Sequence, residues 1–120
     1  MVRPYDAAVR NRLALAFLLL AAVPAGAAER TPSFPKRTAY GEARATLIGL
    51  GWAPVKLPDA DTCDEGDERC QGRPEMLSCS GTGRANCAFT WKKGDSLVQI
   101  NTYGETNPMI DNVRCRAGCR

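Results

Sequence analysis

The apolar residues of this chain change their spacing three times, and each change marks a different segment. Leu13 to Val23 is an unbroken apolar run, closed by Pro24. Arg3, Arg10 and Arg12 precede it, and the small residues Ala25-Gly26-Ala27-Ala28 follow. A positive, then apolar, then small-residue order is that of a cleavable secretory signal peptide, which is expected to occupy residues 1–28, with the mature chain starting at Ala28 or Glu29. A run of that length spans only about 16 Å as a helix against about 30 Å of hydrocarbon, so no permanent membrane anchor is expected.

Residues 29–37 carry Pro32 and Pro35 and read as an extended leader, with Phe34 as its contact to the domain that follows. From Thr38 to Leu50 the apolar spacing becomes three and four: Tyr40, Ala43, Leu47 and Leu50 predict the buried face of a helix. Thr38 is the expected N-cap, and Glu42 sits where the helix dipole favours an acid. Gly51 suits the left-handed position just past the helix, Trp52 then folds back onto Leu47 as a core anchor, and Pro54 prevents continuation. A polar loop, 55–72, leads to Pro74, which fits the first position of a second short helix over residues 74–80, with Met76 and Leu77 as core residues.

Beyond Gly83 the spacing becomes two. Cys87, Phe89 and Trp91 share one face of a strand, Lys93-Gly94-Asp95 is a turn, and Leu97 to Tyr103 alternates as the second arm of a hairpin. Met109 to Arg116 returns as a third strand after the loop 104–108. The expected fold class is therefore α+β: two short helices on a small antiparallel sheet of about three strands, in one domain over residues 38–120.

Composition changes this picture in three ways. All six cysteines, at 63, 70, 79, 87, 115 and 119, lie after the signal segment. An even number in a small exported chain implies disulfides, whereas a zinc site would want the short C-x2-C spacing that is lacking here. Spacing does not choose the connectivity. Near-neighbour pairing is the expectation: Cys79–Cys87, Cys63–Cys70, then Cys115–Cys119. Each of the first two would close a loop valued at about 2.5 kcal/mol by chain entropy. Charge is the second point. Removing three arginines and one aspartate with residues 1–28 takes 16 basic and 13 acidic residues to 13 and 12, so the mature net charge of +1 points to neither nucleic acid nor an anionic membrane.

The third point is that the chain has no histidine. That removes Ser-His-Asp and Cys-His arrangements and the commonest general base near neutral pH, and no catalytic residue, metal or cofactor is assigned. The acidic loop 59–68 fails as an EF-hand in both registers: starting at Asp59 puts Asp64 and Cys70 where Gly and Glu are needed, and starting at Asp61 puts Gly72 at the final position. Gly81-Thr82-Gly83-Arg84 is no P-loop and reads as a tight turn inside a Cys79–Cys87 loop. Lys92, Lys93, Arg114, Arg116 and Arg120 form a basic strip that either contacts an anionic surface or protects a sheet edge from association.

Five segments together, Tyr40-Gly41-Glu42-Ala43-Arg44, Gly51-Trp52-Ala53-Pro54, Pro74-Glu75-Met76, Cys79-Ser80-Gly81-Thr82-Gly83 and Cys87-Ala88-Phe89-Thr90-Trp91, resemble a family of short exported proteobacterial proteins. The resemblance covers most of residues 38–116. It implies export and a disulfide scaffold and supplies no activity. The order of elements also looks like that of small envelope and inhibitor modules such as β-lactamase-inhibitor-like domains, by analogy of architecture alone.

These readings lead to a non-catalytic periplasmic or secreted module, of protein-binding or inhibitor type, whose partner is an envelope or extracellular protein. Arg84 is the first candidate binding residue, as the sole charge in a loop clamped at both ends, and Arg114 and Arg116 are the next. The alternatives are a small envelope enzyme, such as a carboxylate-dependent cell-wall hydrolase, and a structural envelope component.

Overall fold

The helix forms where the spacing predicts one. In the computed structural model, which describes residues 28–120, α1 spans Tyr40–Gly49 and buries Tyr40, Ala43 and Leu47. The signal-peptide expectation, apart from Ala28, lies outside the described residues. No helix among the described residues is long and apolar enough to cross a membrane.

α1 stops as its sequence requires. Leu50 is the C-cap, Gly51 takes φ +89°, and two backbone bonds close the end: Gly51 N–H to Ile48 O at 3.0 Å and Trp52 N–H to Leu47 O at 2.9 Å. That is the paired-bond ending which a glycine after the cap permits. It seats Trp52 in the core at 5% exposure. Two details differ from expectation. The N-cap is Ala39, with no side-chain cap, because the Thr38 hydroxyl donates backwards to Pro35 O at 2.6 Å. Leu50 is 55% exposed, because the turn at Gly51 starts one residue after the last helical position and carries Leu50 off the buried face.

The sheet has five antiparallel strands: β1 (Ala53–Pro54), β2 (Met76–Cys79), β3 (Cys87–Lys93), β4 (Ser96–Tyr103) and β5 (Met109–Ala117). Its order is β1-β3-β4-β5, and β2 pairs with β3 beside β1. Register puts Phe89 opposite Ile100 and Trp91 opposite Val98 on the face that receives α1. Gln99 opposite Arg114 and Asn101 opposite Asn112 lie on the other face, which is polar. The hairpin between β3 and β4 turns on Gly94 and Asp95, with Gly94 at φ +57°.

The fold is α+β, but among the described residues it has one helix and five strands rather than two helices and about three strands. The second helix expected over 74–80 is strand β2. Pro74 and Glu75 suit a helical first turn, yet seven residues cannot nucleate a stable helix alone. Pairing with β3 wins instead. Cys79 stands opposite Cys87, and Thr90 N–H donates to Glu75 O at 2.9 Å. β1 has no counterpart among the expected elements, because two residues carry no periodicity.

The disulfides are Cys63–Cys70, Cys79–Cys87 and Cys115–Cys119, and no described cysteine is free. Such bonds belong to an oxidising compartment. The leader is held at both ends. Glu29 N–H donates to Ser96 Oγ at 2.9 Å and Arg120 N–H donates to Glu29 O at 2.9 Å, while Ala39 bridges Met109 at the start of β5. Between them Phe34 packs against the core.

Candidate functional site

Three arginine–carboxylate pairs organise the polar chemistry of the domain, and they differ in burial. The first lies in the core. The Glu75 side chain is fully buried, and its Oε1 accepts from Arg44 Nε at 2.7 Å and from the Tyr40 hydroxyl at 2.9 Å. Trp91 Nε1 donates to that hydroxyl at 3.0 Å, and Tyr40 stacks on Phe89 with ring centroids 3.9 Å apart. Burial, then the Glu75 charge, push the Tyr40 phenol far above its ordinary pKa, so it stays a neutral donor. The hydrogen bond to Glu75 holds the Arg44 guanidinium charged. Both donors meet one oxygen; Glu75 Oε2 has no partner among the described residues. Glu75 lines neither of the two clefts described below. Sequence reasoning missed this cluster because its hydrogen-bonded partners lie 31 to 51 residues apart.

The second pair joins two loops. Arg69 holds Asp67 through two bonds, Nε to Oδ1 at 2.8 Å and Nη2 to Oδ2 at 2.7 Å. Its remaining donor, Nη1, reaches Ser80 O at 2.7 Å and Ala85 O at 3.1 Å. The Arg69 hydrogen bonds hold the Asp67 carboxyl below its ordinary pKa. The acidic loop is thus ordered by its own arginine. Asp67, Cys70 and Cys79 place one ligand-type atom each within 4.8 Å of one another, but both sulfurs are consumed by disulfides and Asp67 by Arg69.

The third pair contains Arg84. Its loop is closed by Cys79–Cys87, by Ser80 N–H to Asn86 O at 2.7 Å and by the two Arg69 bonds. Arg84 O accepts from Gly104 N–H at 3.0 Å, which joins this loop to the loop 104–108 at one end of the sheet. The Arg84 guanidinium lies over the Tyr103 ring, 4.7 Å from its centroid, and 3.8 Å from Asp111 Oδ2. Asp111 is placed by a bulge. The register passes from Asn101↔Asn112 to Thr102↔Ile110, leaving Asp111 as the additional residue. The Arg84 side chain nevertheless remains 61% exposed.

Arg84, Tyr103 and Asp111 line a cleft of about 390 Å³ whose opposite wall is the leader, Pro32 to Arg37. Lys36 and Arg37 add two positive charges to that wall. Arg114 and Arg116 lie beyond it on the polar face of the sheet. A second bulge skips from Leu97↔Ala117 to Val98↔Cys115, and both arginines reach Gln99 Oε1, at 3.1 Å and 2.9 Å. Gln99 in turn donates to Asn101, and Asn101 to Asn112. Asp111 and Asn112 line both this polar face's cleft, of about 470 Å³, and the Arg84 cleft, so the two are contiguous at β5. Of the basic strip, Lys93 is turned elsewhere: its Nζ donates to Leu50 O at 2.9 Å and lies 3.5 Å from Glu29.

No family model matches the chain, and no solved structure matches it. A stretch of 75 residues, 60% of the chain, is 33% identical to part of GTPase Der from Variovorax paradoxus (strain S110). The match spans 16% of that protein's length. The Gly-x4-Gly-Lys-Ser/Thr pattern that cradles nucleotide phosphates does not occur in this chain.

Proposed function

We propose that the protein is an exported, disulfide-stapled binding module, of protein-binding or inhibitor type, that recognises an acidic segment of an envelope or extracellular protein. One observation carries this reading. Arg84, exposed and stacked on Tyr103, stands at the mouth of a cleft on a loop already fixed by a disulfide and by Arg69. Loops ordered in the free state bind without a further ordering penalty, and arginine with tyrosine is a frequent anchor pair at interfaces. Lys36 and Arg37 make the cleft basic overall. A hydrolase reading is less favoured, because the buried carboxylate, Glu75, is engaged by Arg44 and Tyr40 away from either cleft.

The test uses a fluorescein-labelled octapeptide pool that alternates Asp or Glu with Val, Ile or Thr, and a counterpart with Lys or Arg at the acidic positions. Fluorescence anisotropy should detect binding of the acidic pool, and Arg84→Ala should weaken it about tenfold or more. Equal binding of both pools, or an Arg84→Ala variant that binds as the unmodified protein does, would reject the site. Export is tested separately: the intact mass of the protein recovered outside the cytoplasm should correspond to a start at Ala28 or Glu29, and a membrane-bound species retaining Met1 would count against it.

A further inference from the structure

We propose that the Arg84 cleft receives its partner as an added strand: an extended acidic segment pairs through its backbone with the outer edge of β5. This rests on the binding reading above and specifies its mode.

Among the described residues, β5 is one edge of the sheet. Its outer side is engaged at its two ends. Near the start, Ile110 N–H donates to Thr38 O at 2.8 Å and Tyr40 N–H to Pro108 O at 2.8 Å; past the end, Arg120 N–H donates to Glu29 O at 2.9 Å. Among the described residues, no backbone hydrogen bond joins residues 30–37 to residues 111–117. The leader is therefore tied across β5 like a strap, and the cleft of about 390 Å³ lies between strap and strand. Pro32 and Pro35 lack the N–H that a strand partner must donate, so the leader shields the edge without completing it. An unpaired edge of this kind is a template for an incoming strand, in which backbone bonds give affinity and alternate side chains give specificity.

The walls define what that strand must carry. Phe34, Ile110 and Val113 offer apolar contact. Lys36, Arg37 and Arg84 offer positive charge against the single acid Asp111. An exposed pair at 3.8 Å is weakly held, so a carboxylate of the incoming strand can take the place of Asp111 beside Arg84 at little penalty. A segment alternating acidic and β-branched residues satisfies both walls at once, since successive side chains of a strand point to opposite sides.

Strand addition makes a prediction that side-chain docking does not. Only every second N–H of an edge-bound peptide faces the sheet. The acidic octapeptide pool should be prepared with backbone N-methyl groups on its odd positions and, separately, on its even positions. One methylated form should bind about tenfold or more weaker than the parent, and the other should bind like it. Hydrogen exchange of those amides from Asn112 to Arg116 that face away from β4 should slow about tenfold on adding the parent pool. If both methylated forms bind like the parent, or both lose binding equally, strand addition is overturned. Loss on Arg84→Ala would in that case leave the binding site itself standing. If the unmethylated acidic pool binds no better than its basic counterpart, the site and the strand mode fall together.

Discussion

Arginine meets a carboxylate beside an aromatic ring in two very different places. Arg44 and Glu75 do so in the core, with Tyr40 and Trp91 around them; Arg84 and Asp111 do so at the sheet edge, over Tyr103. The residue types are nearly the same, yet the energetics are opposite in kind. The Glu75 side chain is fully buried and must be satisfied from within, so its partners were fixed by folding. The Arg84 side chain is 61% exposed, and water can replace Asp111 with little change in free energy. Burial, rather than residue chemistry, separates a group that holds a fold together from one that is free to meet a partner. Asp67, at 14% side-chain exposure, falls between Glu75 and Asp111, and with Arg69 it orders the loop on which Arg84 stands.

The sharpest way to break this comparison is at Glu75. Glu75→Ala removes the acceptor of both Arg44 and the Tyr40 hydroxyl, and leaves that buried hydroxyl without an acceptor. An unsatisfied hydroxyl in the core, together with the cavity left by the carboxylate side chain, should lower unfolding free energy by about 3 kcal/mol in urea titration. Glu75→Gln, which retains an acceptor, should lose less. A Glu75→Ala protein within about 0.5 kcal/mol of the unmodified one would show that the core cluster is not structural.

Arg69→Ala should have an intermediate effect, about 2 kcal/mol, because Ser80 O and Ala85 O lose a charged donor. Its partner adds a pH signature. The Asp67 carboxyl titrates below its ordinary value of 3.8 when folded. A folded pKa depressed in this way contributes stability that is present above pH 3.8 and disappears as pH falls toward the lower folded value. The stability difference between the unmodified protein and Asp67→Asn, followed by urea midpoints, should therefore shrink as pH drops below about 4. A difference that does not change between pH 6 and pH 3 would mean that Asp67 and Arg69 are not coupled.

The legibility of the molecule follows the same division between near and far. α1 was visible because Tyr40, Ala43 and Leu47 repeat at helical spacing and Gly51 ends it, all within one short stretch. The β3–β4 hairpin was visible because alternation and the Gly94-Asp95 turn are also local. β2 was not, since Pro74-Glu75 imitates a helix start and what makes it a strand is Cys87 and Thr90, farther along the chain. Glu75 itself suits the first turn of a helix, whereas Tyr40, 35 residues away, decides where its carboxylate goes. Arg84 could be singled out as the one charge in a closed loop. Its contacts with Tyr103 and Asp111 could not, because Asp111 reaches it through a bulge whose position depends on the β4–β5 register.

The smallest expected effect on stability is the one that most sharpens the comparison. Arg84→Ala deletes one exposed ion pair at 3.8 Å and one stacking contact with Tyr103, and leaves every backbone bond of its loop in place. Exposed pairs of this kind contribute about 0 to 1 kcal/mol, and an exposed cation over an aromatic ring about 0.5 to 1 kcal/mol, each offset by the freedom an unpinned arginine regains. The urea midpoint should therefore shift by no more than the equivalent of about 0.5 kcal/mol, while binding of the acidic pool falls about tenfold. The two measurements on one variant separate the roles cleanly. A loss of 2 kcal/mol or so, comparable with that expected for Arg69→Ala, would place Arg84 with the residues that hold the loop, and its exposure would no longer signify a site kept open for a partner.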